Sequence, residues 1–89
     1  MADVRFARHI ERHVQCPPMS VEASTVRAAL DGYFDAHPAV RTYVLDDQQR
    51  VRKHVVVFVN DAQLVDRAGL TDAVGPDDTI HVLQALSGG

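Results

Sequence analysis

The sequence predicts an α+β fold in which one main helix packs on one face of a mixed β-sheet. Three observations lead there. Apolar residues Val26, Ala29, Leu30, Tyr33 and Phe34 recur at helical spacing, which marks one amphipathic helix. Residues around 4–8, 51–60 and 79–86 are rich in alternating or β-branched apolar side chains, which marks strands. The elements read in the order β-β-α-β-β-loop-β, and one helix can cover only one face of such a sheet.

Each element has its own signal. Val4, Phe6, Ile10 and Val14 fall on even positions of segment 4–14, as in a strand with one apolar face; its second half reads equally as a short helix. Cys16-Pro17-Pro18 breaks it, and 19–23 reads as a second strand paired with the first. Ser24 or Thr25 caps the helix near 25–37, and Pro38 stops it, because the residue before a proline avoids helical geometry. Residues 40–45 read as a strand and Asp46-Asp47-Gln48-Gln49 as a turn. Residues 51–60 read as the strongest strand; an apolar run on both faces implies a central one. Asn60-Asp61 is a turn signal. Residues 62–75 read as a loop anchored by Leu64, Val65, Leu70 and Val74, and Gly75-Pro76-Asp77-Asp78 turns the chain into the last strand, 79–86. The core predicted from these faces contains Val26, Leu30, Phe34, Val57, Val59, Ile80 and Val82.

Size and charge exclude several function classes. Eighty-nine residues are the size of one domain, read here as residues 1–86 with 87–89 as a flexible tail. A chain this small buries about 60% of its unfolded surface, which leaves no room for a deep enclosed pocket. The net charge of −3, without a run of Lys or Arg, argues against nucleic acid as a partner. The lone Cys16 excludes an internal disulfide. No apolar stretch approaches the ~20 residues of a membrane span, and no signal peptide opens the chain. The expectation is a cytoplasmic protein with no membrane partner.

The most informative feature is the ending, Leu86-Ser87-Gly88-Gly89, directly after an apolar run. Two glycines are slim and conformationally permissive. The reactive group they present is the α-carboxylate, ionised above about pH 3.3–3.7. The capped helix at 25–30, Val57-Phe58-Val59-Asn60, the Pro76-Asp77-Asp78 turn and the Gly-Gly end, in this order, resemble the ubiquitin-like β-grasp sulfur carriers. That family includes the molybdopterin synthase small subunit and the thiamine sulfur carrier. Residues 79–89 also look like the end of ubiquitin, which reads Thr-Leu-His-Leu-Val-Leu-Arg-Leu-Arg-Gly-Gly. Ser87 replaces the arginine before the glycines, and Gln84-Ala85 replaces the proline-containing stretch usual in the molybdopterin subunit. The pathway therefore stays open.

The resemblance implies a β-grasp fold and a carrier that is not itself an enzyme. An adenylating partner enzyme would use ATP to convert the Gly89 carboxylate to an acyl-adenylate. A sulfur donor would then displace AMP and leave a thiocarboxylate for a sulfurtransferase or a sulfur-accepting synthase. No bound cofactor is expected; ATP belongs to the partner. Gly88 would let the tail thread a narrow site, and four residues, 86–89, reach ~13–14 Å when extended. Such a tail should be poorly ordered in the isolated protein. Along strand 79–86 side chains alternate, so Ile80 and Val82 should face the helix. His81, Leu83 and Ala85 should face outward and, with Leu86 and Ser87, meet the partner. Alternatives are a ubiquitin-like modifier joined to other proteins through Gly89, and a non-covalent binding module.

Other candidates carry less. Five histidines, His9, His13, His37, His54 and His81, invite a metal reading. His9 and His13, four apart, lack a third ligand for zinc and read better as a solvated basic edge with Arg8 and Arg12. Asp77-Asp78 reads as a turn, since further calcium ligands are missing. Cys16, beside two prolines, reads as structural.

Overall fold

Ala2, Val4 and Phe6 alternate with Asp3 and Arg5, and Ile80 and Val82 alternate with His81 and Leu83. Each set commits one strand to a single buried face. These strands, β1 (Ala2–Phe6) and the C-terminal strand, pair in parallel with Val4 opposite Ile80 and Phe6 opposite Val82. The computed structural model describes residues 1–84. In chain order β1 is followed by α1 (Arg8–Glu11), β2 (Met19–Val21), α2 (Val26–Ala36), α3 (Pro38–Val44), β3 (Val55–Val59), β4 (Ala62–Gln63) and β5 (Thr79–Gln84). The sheet has five strands in the order β2-β1-β5-β3-β4. The β1–β5 pair is parallel, and the other pairs are antiparallel. The expected mixed sheet forms, and in it the last strand is internal and parallel to the first.

The main helix follows its sequence signals. Thr25 Oγ1 accepts the Ala28 N–H at 3.1 Å, satisfying one donor of the first turn. The helix buries Val26, Ala29, Leu30, Tyr33 and Phe34 against the inner residues Val4, Phe6, Val55, Val57, Ile80 and Val82.

Several expectations require correction. Residues 40–45 are not a strand: α3 occupies them, with Pro38 at its first turn. Proline presets the φ that a helix start needs, and Val40 and Val44, four apart, bury one helical face. A strand would have aligned Thr42 with them, yet Thr42 is exposed. The second half of segment 4–14, which the sequence left open between strand and short helix, is helical: after Ala7 donates its N–H to Val82 O at 2.9 Å, the chain coils so that Ile10 is buried. Strand 51–60 shrinks to β3, because residues 52–54 turn and Val55 N–H donates back to Arg52 O. β3 is internal as expected, paired with β5 and β4, but Val59 is only half-buried. Finally, Val65 is not an anchor of the 62–75 connection, being 88% exposed, whereas Leu64, Leu70 and Val74 are buried as expected.

That connection is organised mainly by polar groups. Asp72 accepts the N–H groups of Val65 and Asp66. Asp66 accepts Gly69 N–H at 2.8 Å and Thr71 Oγ1–H at 2.7 Å. A Cβ on Gly69 would lie 2.7 Å from Asp66 Oδ2, so a side chain there would displace the Asp66 carboxylate from these bonds. The Arg27 guanidinium on α2 donates to the carbonyls of Gln49, Ala68 and Gly69. Leu70 sits at φ 54, unusual for a bulky residue, and its backbone bonds to Asp66 O and Arg27 N fix it there.

Two measurements check this account. Leu30 is 1% exposed, so Leu30→Ala should cost about 2–5 kcal/mol in denaturant unfolding. A much smaller loss would mean that another face of α2 meets the sheet. The Thr71 hydroxyl, followed by the Gly69 N–H, holds the Asp66 carboxyl below the usual carboxylate range. A carboxylate depressed in the folded state stabilises at pH above its unfolded value, and that contribution disappears as pH falls through the folded value. Asp66→Asn should therefore lower the thermal midpoint near neutrality and flatten its decline below about pH 4. An unchanged acid slope would contradict the role given to Asp66.

Candidate functional site

The helices cover one face of the sheet, and cross-strand register builds the other. His81 of β5 lies between Arg5 of β1 and Phe58 of β3, and Phe58 lies opposite Gln63 of β4. One step further along β5, Leu83 pairs with Val56. Side chains directly opposite on one face sit about 4.5–5.5 Å apart at Cβ. Val56, Phe58 and Leu83 thus form one small apolar surface beside His81. Leu83 is 36% exposed, whereas Ile80 and Val82 are fully buried beneath α2. His81 and Leu83 therefore face outward as the alternation predicts.

Val56 and Phe58 were not anticipated. Segment 55–59 reads as apolar on both faces, which suggested burial on both faces. A useful signal was available: a single helical layer leaves one face of the sheet open, so half of that run must be half-exposed. The register that sets Val56 beside Leu83 comes from long-range pairing and cannot be read from either segment alone.

β5 ends beside an aromatic pair. Tyr43 on α3 donates its hydroxyl hydrogen to Gln84 Oε1 at 3.3 Å, and the His13 ring stacks on Tyr43 with centroids 5.8 Å apart. Gln84 is thus held by a residue of α3 that the sequence reading did not associate with it, since 40–45 was expected as a strand. The remaining expected partner-facing residues, Ala85, Leu86 and Ser87, and the expected sulfur-bearing Gly88 and Gly89, lie outside the described residues, as does the expectation of a poorly ordered tail.

The other candidates take structural places. Cys16 is buried, and burial, with Glu11 nearby, pushes its thiol up to about 11. It is a protonated thiol at neutral pH and a poor nucleophile. Asp78 caps the turn into β5, accepting Gly75 N–H and Asn60 Nδ2–H. Among the described residues no group of three or more His, Cys, Asp or Glu is placed to hold a metal ion. Among them, no helix is long and apolar enough to cross a membrane.

No family model matches the chain, and no curated protein matches it in sequence. Solved structures match it along its length. A chain of the Amycolatopsis orientalis BexX/CysO complex is 22% identical, with a TM-score of 0.82 and 100% of both chains covered. CysO of Mycobacterium tuberculosis is 18% identical, with a TM-score of 0.81 over 97% of this chain and 100% of that one. SAMP1 of Haloferax volcanii, a small archaeal modifier protein, is 24% identical, with a TM-score of 0.76 over 99% of this chain and 98% of its own. What is shared at these identities is the fold: α+β, ubiquitin-like β-grasp.

Leu83→Asp tests the open face. The variant should fold and lose only about 0.2–1 kcal/mol, the scale of one cross-strand pair, in denaturant unfolding. A loss several times larger would show that Leu83 belongs to the core.

Proposed function

We propose that the protein is a sulfur carrier whose Gly89 carboxylate is activated by a separate ATP-dependent enzyme and converted to a thiocarboxylate. The observation that carries the reading is the Gly88-Gly89 ending, placed five residues beyond the last described residue of the central strand of a β-grasp sheet. The shared fold with SAMP1 and CysO supports it.

The chemistry follows from what a carboxylate lacks. Its negative charge and resonance make the carbonyl carbon a poor electrophile. A carboxylate oxygen attacks the α-phosphorus of ATP, forming an acyl-adenylate and releasing pyrophosphate. A hydrosulfide-level nucleophile adds to the carbonyl carbon, the C–O bond to the phosphate breaks, and AMP departs. The net change joins carboxylate, ATP and hydrosulfide to give thiocarboxylate, AMP and pyrophosphate, with no oxidation or reduction. The carrier supplies the carboxylate and a recognisable body; catalytic groups and ATP belong to the partner, whose ATP requirement favours the cytoplasm. In this reading His81, Leu83, Val56 and Phe58 seat the activating enzyme, and residues 85–87 line the entry of the tail. A sulfurtransferase or sulfur-accepting synthase then consumes the thiocarboxylate in cofactor or metabolite biosynthesis.

A second reading, a modifier conjugated through Gly89, draws on the likeness to a small archaeal modifier protein. Both readings share the activation step and differ in the acceptor: sulfur in one, a protein amine in the other.

Deleting Gly89 should leave the unfolding midpoint unchanged, because a terminal residue contributes little to stability. It should abolish ATP–pyrophosphate exchange with the cognate activating enzyme, since the carboxylate then falls about 3.3–3.6 Å short. Gly88→Val should impair exchange through bulk and restricted φ. Full exchange by the deletion variant would leave only the non-covalent binding module.

A further inference from the structure

The strand register separates charge along the sheet. β1 ends at Phe6, opposite Val82, and runs directly into Arg8, His9, Arg12 and His13, all exposed. β3 begins at Val55, opposite Gln84, and is preceded by Arg52, Lys53 and His54. Both strands flank β5 at about 4.7–4.9 Å. Two separate segments therefore place Arg8, Arg12, Arg52 and Lys53, four of the nine Lys and Arg residues, at the end of the sheet where Gln84, the last described residue, lies. Glu11 is interleaved with them in sequence, and Asp46, paired with Arg50, lines one pocket with Lys53. The ion pairs among the described residues are Arg5–Asp3, Arg41–Asp31 and Arg50–Asp46, and none uses a residue of this collar. The other end of the sheet carries Asp3 and Glu22 near the start of β1, Asp61 after β3, and Asp77-Asp78 before β5. A chain with a net charge of −3 thus presents a basic end beside Gln84 and an acidic end opposite.

We infer that the collar formed by Arg8, Arg12, Arg52 and Lys53 docks against an acidic protein surface surrounding the mouth of the activating enzyme's tail-receiving cleft, and orients the encounter tail first. This rests on the activation of Gly89 proposed above. Complementary charge raises the rate of encounter and fixes its orientation more than it adds affinity. Its range is about 8 Å at physiological salt, enough to act before the apolar surface of Val56, Phe58 and Leu83 touches. That adjoining apolar surface suits a protein partner. A nucleic acid would meet the basic end without using it, and would be repelled by the acidic end.

Two arms test the inference on the full chain. In the first, ¹⁵N spectra at low ionic strength are titrated with a poly-glutamate peptide and, separately, with an oligothymidylate. Poly-glutamate should shift amides at 8–13 and 52–54 and spare 61, 77 and 78. No shift at the collar would overturn the inference, as would tighter binding of the oligonucleotide at the same amides. In the second, pyrophosphate exchange is measured for Arg8→Glu/Arg12→Glu/Lys53→Glu against Asp61→Lys/Asp77→Lys. The collar variant should raise KM about tenfold or more at low salt with kcat unchanged. The gap should close at about 0.5 M salt, where screening is nearly complete. The neutral Arg8→Gln/Arg12→Gln/Lys53→Gln variant should show a smaller rise of the same kind, and the acidic-end variant none. An unchanged KM for folded collar variants at low salt would overturn the inference. Absence of exchange by the wild-type chain would instead remove the activation reading, and the titration alone would then decide whether the collar recognises acidic protein surfaces.

Discussion

The parallel pairing of β1 with β5 is the constraint on which the rest of this structure depends. It joins the first and last described strands at the centre of the sheet, with Asp3 to Phe6 registered on Thr79 to Val82. A parallel pair needs a long crossover, and the intervening chain carries the helices, β3 and β4. Because β3 runs antiparallel on the other side of β5, the end of β1 and the start of β3 both lie where β5 ends. Gln84, the last described residue, therefore lies in the middle of one end of the sheet, with β1 and β3 on either side.

Burial on one face and register on the other divide the work. Ile80 and Val82 are fully buried beneath the helices, while Leu83 stays partly open. Holding β5 in place is as much a matter of hydrogen bonds in the crossover as of apolar packing. Arg27 gathers three carbonyls from two loops, and Arg67 donates to the carbonyls of Arg52 and Val55 at the start of β3. Buried backbone acceptors need such partners. These charge-assisted bonds let a long irregular segment pack without regular structure of its own.

Much of the fold was legible because its key elements carry redundant local signals. Helix α2 has a cap, a stripe and a breaker; β5 has strict alternation and a turn before it. Segment 40–45 was misread because Val, Thr and Tyr favour strands locally, whereas Pro38 and the burial of Val40 and Val44 decide for a helix. The outward-facing half of the site, His81 and Leu83, follows from alternation alone. Its other half, Val56 and Phe58, depends on which strand lies beside β5, and no local pattern encodes that. The same holds for the basic collar, whose members are far apart in sequence and meet through register. Tyr43 on Gln84 was hidden by the misassigned helix.

The central claim is that Gly89 carries sulfur as a thiocarboxylate. The most direct test is the mass of the C-terminal peptide from the protein isolated out of its own cells, after rapid denaturation and alkylation to trap any thioacid. The account predicts a population in which one terminal oxygen is replaced by sulfur, with the alkyl group on Gly89 and the rest of the chain unmodified. A terminus found only as free carboxylate, under conditions where the activating enzyme and a sulfur source are present, would contradict it. A terminus found in isopeptide linkage to other proteins would assign the same activated carboxyl group to protein modification instead.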